Sequence, residues 1–512
     1  MISQGPELLA PVGVLIVGLA VLYLRGNRSS LPPGPPRLPI VGNLKYLTVL
    51  GKPRPWHLFH KFAQEYGPVT YLDFLGRPVV IINNARAADD LLVRRTGNYS
   101  DRPRLVVGNE YLSGGLAFPL APSNEIWRKM RRATEPQLGV KSLMQYENIQ
   151  TDEAILFAYD MLRRPDKCLE NILRVTASVI LSVVYDQPPL RSLDEPSVHV
   201  MDDFLHKLNR AAQPGAHIVE AIPVLEYIPT FLSSWKKNAK RDFQKFSSMF
   251  LKDYSTVKER LIDEQRQSLL AKMLEGGSRH DMNDLETAWA AAMIYAAAYD
   301  TTSATLTWFF FIMIHFPDIQ RKAQEEIDTV VGQSRLPSFS DTKHLPYVTA
   351  LIREIVRWRP ATPIGVPHAS DDYYNNQLIP GGSICIPNVW SINRDPDVYG
   401  ADADEFRPER HLNPDGKLKD ETGEGHFTYG FGRRECIGKH FANKALFIDI
   451  TMILWAMSIE ASTNVPHISE DSGEGIILHP PPFECRCKPR FVGVEATLEQ
   501  ARNVVLSAHH AR

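Results

Sequence analysis

Cysteine is scarce in this chain. Only five occur in 512 residues: Cys168, Cys385, Cys436, Cys485 and Cys487. The count is odd and no C-x-x-C pair is present, which argues against a disulfide scaffold and fits a reducing compartment. A basic excess is also missing. The formal charge is -2, and a nucleic-acid binder would normally carry clustered positive charge. No G-x-G-x-x-G follows a strand pattern, so no nicotinamide or flavin site is expected. No repeat of 20 to 50 residues and no long low-complexity linker after residue 40 divides the chain. One large domain over 44–512 is therefore expected behind two short N-terminal segments.

The first of these segments is the apolar run "LLAPVGVLIVGLAVLYL", Leu8 to Leu24. It lacks charge over 17 residues, near the lower limit for spanning a bilayer. Arg25 and Arg28 follow it and Glu7 precedes it. A cleaved signal would place its basic residues before the run and end in a small-residue site. An uncleaved anchor over 1–28 is expected, and positive flanks stay cytosolic. Residues 29–43 follow as a hinge. Five prolines, between 32 and 39, read as a stiff, extended spacer.

Most of the remaining pattern is helical. "VTYLDF" at 69–74 and "PVVIIN" at 78–83 read as a β-hairpin around a Gly-Arg turn. Helical periodicity then predicts helices near 124–139, 145–163, 168–186 and 240–265. Segment 204–235 reads as short helices with mobile connections. Residues 284–316 are alanine-rich and apolar almost all round, which predicts a long helix buried on every side. Helices from Pro346 to Trp358 and from Gly438 to about Ile459 follow, then a hairpin over 475–493. Cys485 and Cys487 are one residue apart and read as neighbours on one strand face. The fold class is mainly α with small β-sheets (α+β).

One cysteine has special surroundings: "YGFGRRECIG", Tyr429 to Gly438. Gly430, Gly432 and Gly438 let the backbone turn tightly and approach a flat ligand. A helix N-terminus and Arg433 and Arg434 would lower the thiol pKa of Cys436. Such a residue can be a nucleophile, and His440 is a weak candidate base. It can also be an inert core thiol. One thiolate cannot close a tetrahedral zinc site. As axial ligand to haem iron it is chemically complete, because the porphyrin provides four donors.

This stretch resembles the haem loop of the cytochrome P-450 family, F-x-x-G-x-R-x-C-x-G, with Tyr429 where the pattern has phenylalanine. Three further motifs agree in order. Glu354 and Arg357 match E-x-x-R; on a helix they share a face, and alone such a pair is usually a solvated salt bridge. In the family it joins the arginine of F-x-P-x-R, here Phe406, Pro408 and Arg410, to brace the haem loop. Trp127 and Arg131 match W-x-x-x-R, and with His368 and Arg434 they occupy positions the family uses for haem propionates. Arg102 is a further candidate. "AAYDTT" at 297–302 resembles A-G-x-D-T-T, with Ala298 in place of glycine. The resemblance makes Asp300 and Thr301 an acid–alcohol pair delivering protons during dioxygen activation; the alternative is hydroxyls bonded back into the helix.

The resemblance implies a haem-thiolate monooxygenase carrying haem b (iron protoporphyrin IX), of fungal, membrane-bound type. It implies electrons from NADPH through a separate reductase and residence in the endoplasmic reticulum membrane, single-pass, with the catalytic domain in the cytosol. It implies a role in secondary or xenobiotic metabolism. Lys129, Arg132, Lys439 and His440 are candidates to meet an acidic reductase surface. Candidate substrate-lining segments are 103–122, 204–230, Tyr295, Ala298, 364–366 and 475–479. They are mostly apolar, so a hydrophobic terpenoid-like or aromatic substrate is expected. Two other classes share the scaffold: a sensor or electron carrier, which needs no Asp300–Thr301 pair, and an isomerase or dehydratase, which needs no reductase.

Overall fold

The computed structural model describes residues 30–46, 54–213, 215–263, 268–276, 281–365, 368–462, 465–468 and 476–510. The apolar run expected to anchor the chain lies outside them. The fold is predominantly helical with two small sheets, as expected. The chain forms two compact units that alternate along the sequence.

The first unit holds residues up to Pro103, then Ile364–Ile392 and Phe431–Arg433. Helix α1 (Pro55–Tyr66) starts on a proline, whose missing N–H costs nothing at a first turn. It buries Trp56, Phe59 and Phe62. Strands β1 (Val69–Phe74), β2 (Arg77–Ile82), β3 (His368–Tyr374) and β4 (Gln377–Pro387) form one sheet in the order β1-β2-β4-β3. β1 and β2 form the expected hairpin, but its turn is Leu75-Gly76, both at positive φ, and Arg77 already pairs with Phe74. Asn375-Asn376 serves β3 and β4 in the same way. Such two-residue turns match the right-handed twist of the strands. Phe59 and Phe62 pack on Leu72, Val79, Ile81 and Ile386.

The proline-rich stretch is not a free spacer. The Pro33 carbonyl accepts from Tyr71 N–H at 2.9 Å. Asn43 donates to the carbonyls of Pro35 and Pro36 and accepts from Asp73 N–H. Proline lacks a donor but keeps its acceptor, so a proline run can still dock on a strand.

The second unit is helical: α2 (Glu125–Thr134), α3 (Glu147–Arg163), α4 (Cys168–Tyr185), α5 (Pro196–Ala212), α6 (Ser234–Asp263), α7 (Asp284–His315), α8 (Pro317–Val330), α9 (Pro346–Trp358), α10 (Lys439–Ala456) and α11 (Val494–His510). Short helical turns lie between them. α7 opens on a capping box of Asn283 and Glu286 and closes before Pro317. α5, one 17-residue helix, takes up the start of 204–235, and the rest forms the expected short helical pieces, Ile218–Ala221, Pro223–Tyr227 and Thr230–Leu232. Among the described residues the expected tail hairpin does not form: β6 (Cys485–Pro489) pairs antiparallel with β5 (Met457–Ala461), with 23 residues between them, and α11 follows. Cys485 and Cys487 do share the buried face of β6. Among the described residues one helix, 165–185, is long and apolar enough to cross a membrane, and 83% of its apolar window is buried within the protein.

Candidate functional site

The cysteine loop is closed by two backbone bonds in the second unit. Gly430 N–H donates to Phe427 O at 3.1 Å, and Cys436 N–H donates to Tyr429 O at 2.8 Å. Gly430 sits at φ +80, a conformation that L side chains rarely adopt. Gly438 caps α10, and its amide donates to the Cys436 sulfur. A Cβ on Gly438 would have one near neighbour, that sulfur, at 3.9 Å. Of the five cysteines, four are buried and Cys436 is exposed. The turn residue Gly432 belongs to the first unit, where a Cβ would lie 2.3 Å from Leu92 O.

The thiol does not behave as the loop pattern suggested. Its pKa is raised, not lowered, because burial of its surroundings outweighs the Gly438 amide and the charges of Arg131 and Lys439. The Arg433 side chain is exposed, and Arg434 stacks its guanidinium on the Trp127 ring at 4.0 Å. A bound cation is what would hold this sulfur as a thiolate. The Tyr429 hydroxyl points away to α10 and donates to Asn443 Oδ1 at 2.6 Å.

Trp127 and Arg131 lie one helical turn apart on α2, whose N-cap is Asn124. Trp127 is buried. Arg131 donates to Glu435 O at 3.2 Å and pairs with Glu135. Arg434 donates to Ala121 O at 3.0 Å. Two arginines and a tryptophan thus stand beside the cysteine loop. His368 is the first residue of β3, paired in register with Cys385 in the first unit; Arg102 is buried in that unit.

Glu354, Arg357 and Arg410 come together, all fully or almost fully buried. Arg357 grips Glu354 with two bonds, 2.7 and 2.8 Å. Arg410 Nε reaches Oε1 at 2.9 Å, and so does the Arg407 amide. His411 was missed by sequence reading; its Nε2 lies 2.9 Å from Oε2. Burial pushes the Glu354 carboxyl up, but the bonds from Arg357 and His411 outweigh it and hold it at about 2. Arg357 also donates to the carbonyls of Asn393, Ala403 and Glu405. Asn393 Oδ1 in turn accepts from Phe427 N–H at 2.8 Å, at the foot of the cysteine loop.

α7 is buried along most of its length, but Ala297 is exposed and Ala298 and Asp300–Thr302 are partly so. At 100° per residue, 297 and 301 share one face and 295 and 299 the opposite one. Tyr295 is accordingly buried against Tyr299, off the face that 297 and 301 share. The Thr301 hydroxyl donates to Ala297 O at 2.7 Å, the back-bonded arrangement. Asp300 is held on both oxygens: Oδ1 lies 3.2 Å from His479 Nε2, and Oδ2 accepts from Asn209 Nδ2 at 3.4 Å. Neither partner was foreseen. Of the cations considered for a partner surface, Lys129 pairs with Asp281 and Lys439 with Glu435, Arg132 is exposed, and His440 is half-buried.

These residues fit a haem. Cys436 is exposed on its glycine loop, a Cβ on Gly438 would meet that sulfur at 3.9 Å and nothing else within 4 Å, and arginines suited to carboxylates stand next to it. The sequence model of the cytochrome P-450 family matches residues 32–486. A cytochrome P-450 monooxygenase of Armillaria gallica is 43% identical over 505 residues, covering 96% of each chain. Cytochrome P-450 monooxygenase 58 of Postia placenta is 39% identical, covering 98% of this chain and 96% of its own length. A monooxygenase of the same family from Amanita muscaria is 36% identical, covering 96% and 97%.

Proposed function

The chain belongs to the cytochrome P-450 family, and from that premise we propose that it is a membrane-anchored haem-thiolate monooxygenase that oxidises a hydrophobic small molecule with electrons from an NADPH-dependent reductase. The monooxygenase class follows from the family and its fungal relatives. The observation that carries the haem-thiolate reading is the exposed Cys436 sulfur on its glycine loop, facing the Gly438 amide.

When bound, haem supplies dioxygen activation and the oxidising power for the substrate. The chain's own residues do the rest. Cys436 would ligate the iron, and the Gly438 amide, which donates to its sulfur, would temper the basicity of that sulfur. Arg131, Arg434 and Trp127 would hold the propionates. Glu354, Arg357 and Arg410 fix the strand of backbone leading into the loop. Asp300 supplies protons, and the Thr301 hydroxyl, back-bonded to Ala297, keeps its lone pairs free to accept one and its position fixed to pass it on. Ala297 and Ala298 leave space beside Thr301 for oxygen and substrate.

Residues 1–28 anchor the protein in the endoplasmic reticulum membrane, with the catalytic part in the cytosol. The apolar candidate lining favours terpenoid-like or aromatic compounds. The test is a reductase-coupled assay of full-length protein against a panel of both, beside the reduced carbon monoxide spectrum. A thiolate-type Soret band, lost in Cys436→Ala, is expected. Retention of that band in the alanine variant would show that another residue ligates the iron.

A further inference from the structure

Asp300 sits between two segments that are far away in sequence. His479 precedes Pro480 in the stretch that leads to β6, and the preceding Leu478 is pinned at both ends. Its carbonyl accepts from Trp308 Nε1 on α7 at 2.7 Å, and its amide donates to Ala361 O at 2.8 Å. That double anchor holds His479 over α7 one residue later. Its Nε2 lies 3.2 Å from Asp300 Oδ1, and the two side chains are 39% and 20% exposed. Asn209, from the last turn of α5, occupies the other carboxylate oxygen.

We propose that His479 is the proton-relay residue that recharges Asp300 from solvent, with Asn209 holding the carboxylate in place. This rests on the Asp300–Thr301 reading above. Imidazole has two nitrogens, and only Nε2 is engaged by Asp300. A proton arriving at Nδ1 lets the Nε2 proton pass to Asp300 Oδ1; loss of the Nδ1 proton to Nε2 by ring rotation or tautomer exchange resets the ring. No electron moves, and one proton enters from water for each one that Asp300 passes on. A carboxylate has no proton of its own to give, whereas an imidazole can take one up at one nitrogen while giving one from the other. Other charged or titratable groups act on the pair: Asp202 on α5, with His199 beside it, and Tyr299 on α7, which bonds to Asp202.

The test uses full-length holoprotein with wild-type, His479→Gln, His479→Phe and Asp300→Asn side chains, each first checked for its carbon monoxide spectrum. One readout is independent of turnover. Nitrogen NMR of labelled histidine is recorded in the diamagnetic reduced, carbon monoxide-bound protein. The His479 signal is identified by its loss in His479→Gln. Its Nε2 resonance should shift in Asp300→Asn, since the carboxylate that Nε2 bonds to is replaced by an amide. An unmoved resonance overturns the proposal. The second readout uses hydrogen peroxide as probe. Heterolysis of its O–O bond requires that the proton removed from one oxygen be returned to the other, which leaves as water. The optical change on mixing ferric protein with peroxide should slow about tenfold in His479→Phe, the lower range for a lost acid–base group. It should stay slow in His479→Gln, which can keep the hydrogen bond to Asp300 but cannot carry a proton. Full recovery in the glutamine variant overturns the relay and leaves a positioning contact. A slow Asp300→Asn beside a wild-type-like His479→Phe overturns this inference alone. A wild-type-like Asp300→Asn removes the underlying acid–alcohol reading as well.

Discussion

At the scale of single residues, two side chains carry clear expectations. Thr301 touches no iron ligand, so Thr301→Ala should leave haem binding and first-electron reduction almost unchanged. Its hydroxyl matters only when oxygen must be protonated, the mark of an interaction made late on the path. NADPH consumption should continue with the reductase, hydrogen peroxide should rise, and product should fall. Because Thr302 is also partly exposed, Thr301→Ala with Thr302→Ala closes the alternative route; product per NADPH equal to wild type there would sink the proton-delivery role. Tyr429→Phe is the opposite case. The phenol is turned to Asn443, so losing it should cost about 1 kcal/mol of stability, the worth of one hydrogen bond, with no change in the carbon monoxide band; denaturant melts and that spectrum check both. The cysteine loop was legible because its turn residues and its helix cap lie within ten positions of the thiol. The direction of its pKa was not. Helix and arginine effects can be read locally, whereas burial comes from the whole fold. His411, Asn209 and His479 escaped for the same reason: each partner lies tens to hundreds of residues away.

At the scale of elements, α9 and the turn after Arg407 form a unit held by one carboxylate. Five donors converge on Glu354: two from Arg357, one each from Arg410, His411 and the Arg407 amide. Glu354→Gln leaves Arg357 buried without its counter-charge and Arg410 with Asp402 alone, at 3.1 Å. Breaking one side of such a cluster costs about 3–5 kcal/mol. The sign of its pH dependence follows from a folded pKa of about 2, below the usual 4.5. The carboxyl contributes stability that is fully present above pH 4.5 and is lost as pH falls toward 2, about 3 kcal/mol from the linkage between those values. Denaturation curves between pH 6 and pH 2 should show this limb in wild type and not in the glutamine variant; a variant with the same acid limb would assign it to other groups. The helix itself was readable end to end, from Pro346 to Trp358. So was α7, whose cap and closing proline are local signals. The pairing of β5 with β6 was not. Strand partners are chosen by packing across the chain, and a short apolar run near a turn reads as half of a local hairpin whether or not its partner is nearby.

At the scale of the whole molecule, the N-terminal segments separate two functions that composition alone placed side by side. The apolar run is the proposed anchor, but the prolines after it belong to the fold. Pro33 and Asn43 make three hydrogen bonds to β1, and Asn43 makes two more to the Pro35 and Pro36 carbonyls. Gly34 lies so close to that strand that a Cβ there would stand 2.0 Å from Tyr71 O. Two truncations should therefore differ. Deleting residues 1–28 should release much of the protein from membranes and leave its carbon monoxide spectrum and melting temperature unchanged, since the docked stretch starts later. Deleting residues 1–43 should release it equally and also lower the melting temperature, because the edge of β1 loses partners worth about 0.5–1.5 kcal/mol each. Membrane fractionation reads the first effect and thermal melts the second. Equal melting temperatures for the two truncations would show that the docked prolines add nothing to stability. A shorter truncation that cannot hold haem would make the apolar run part of the folded protein and not an anchor alone.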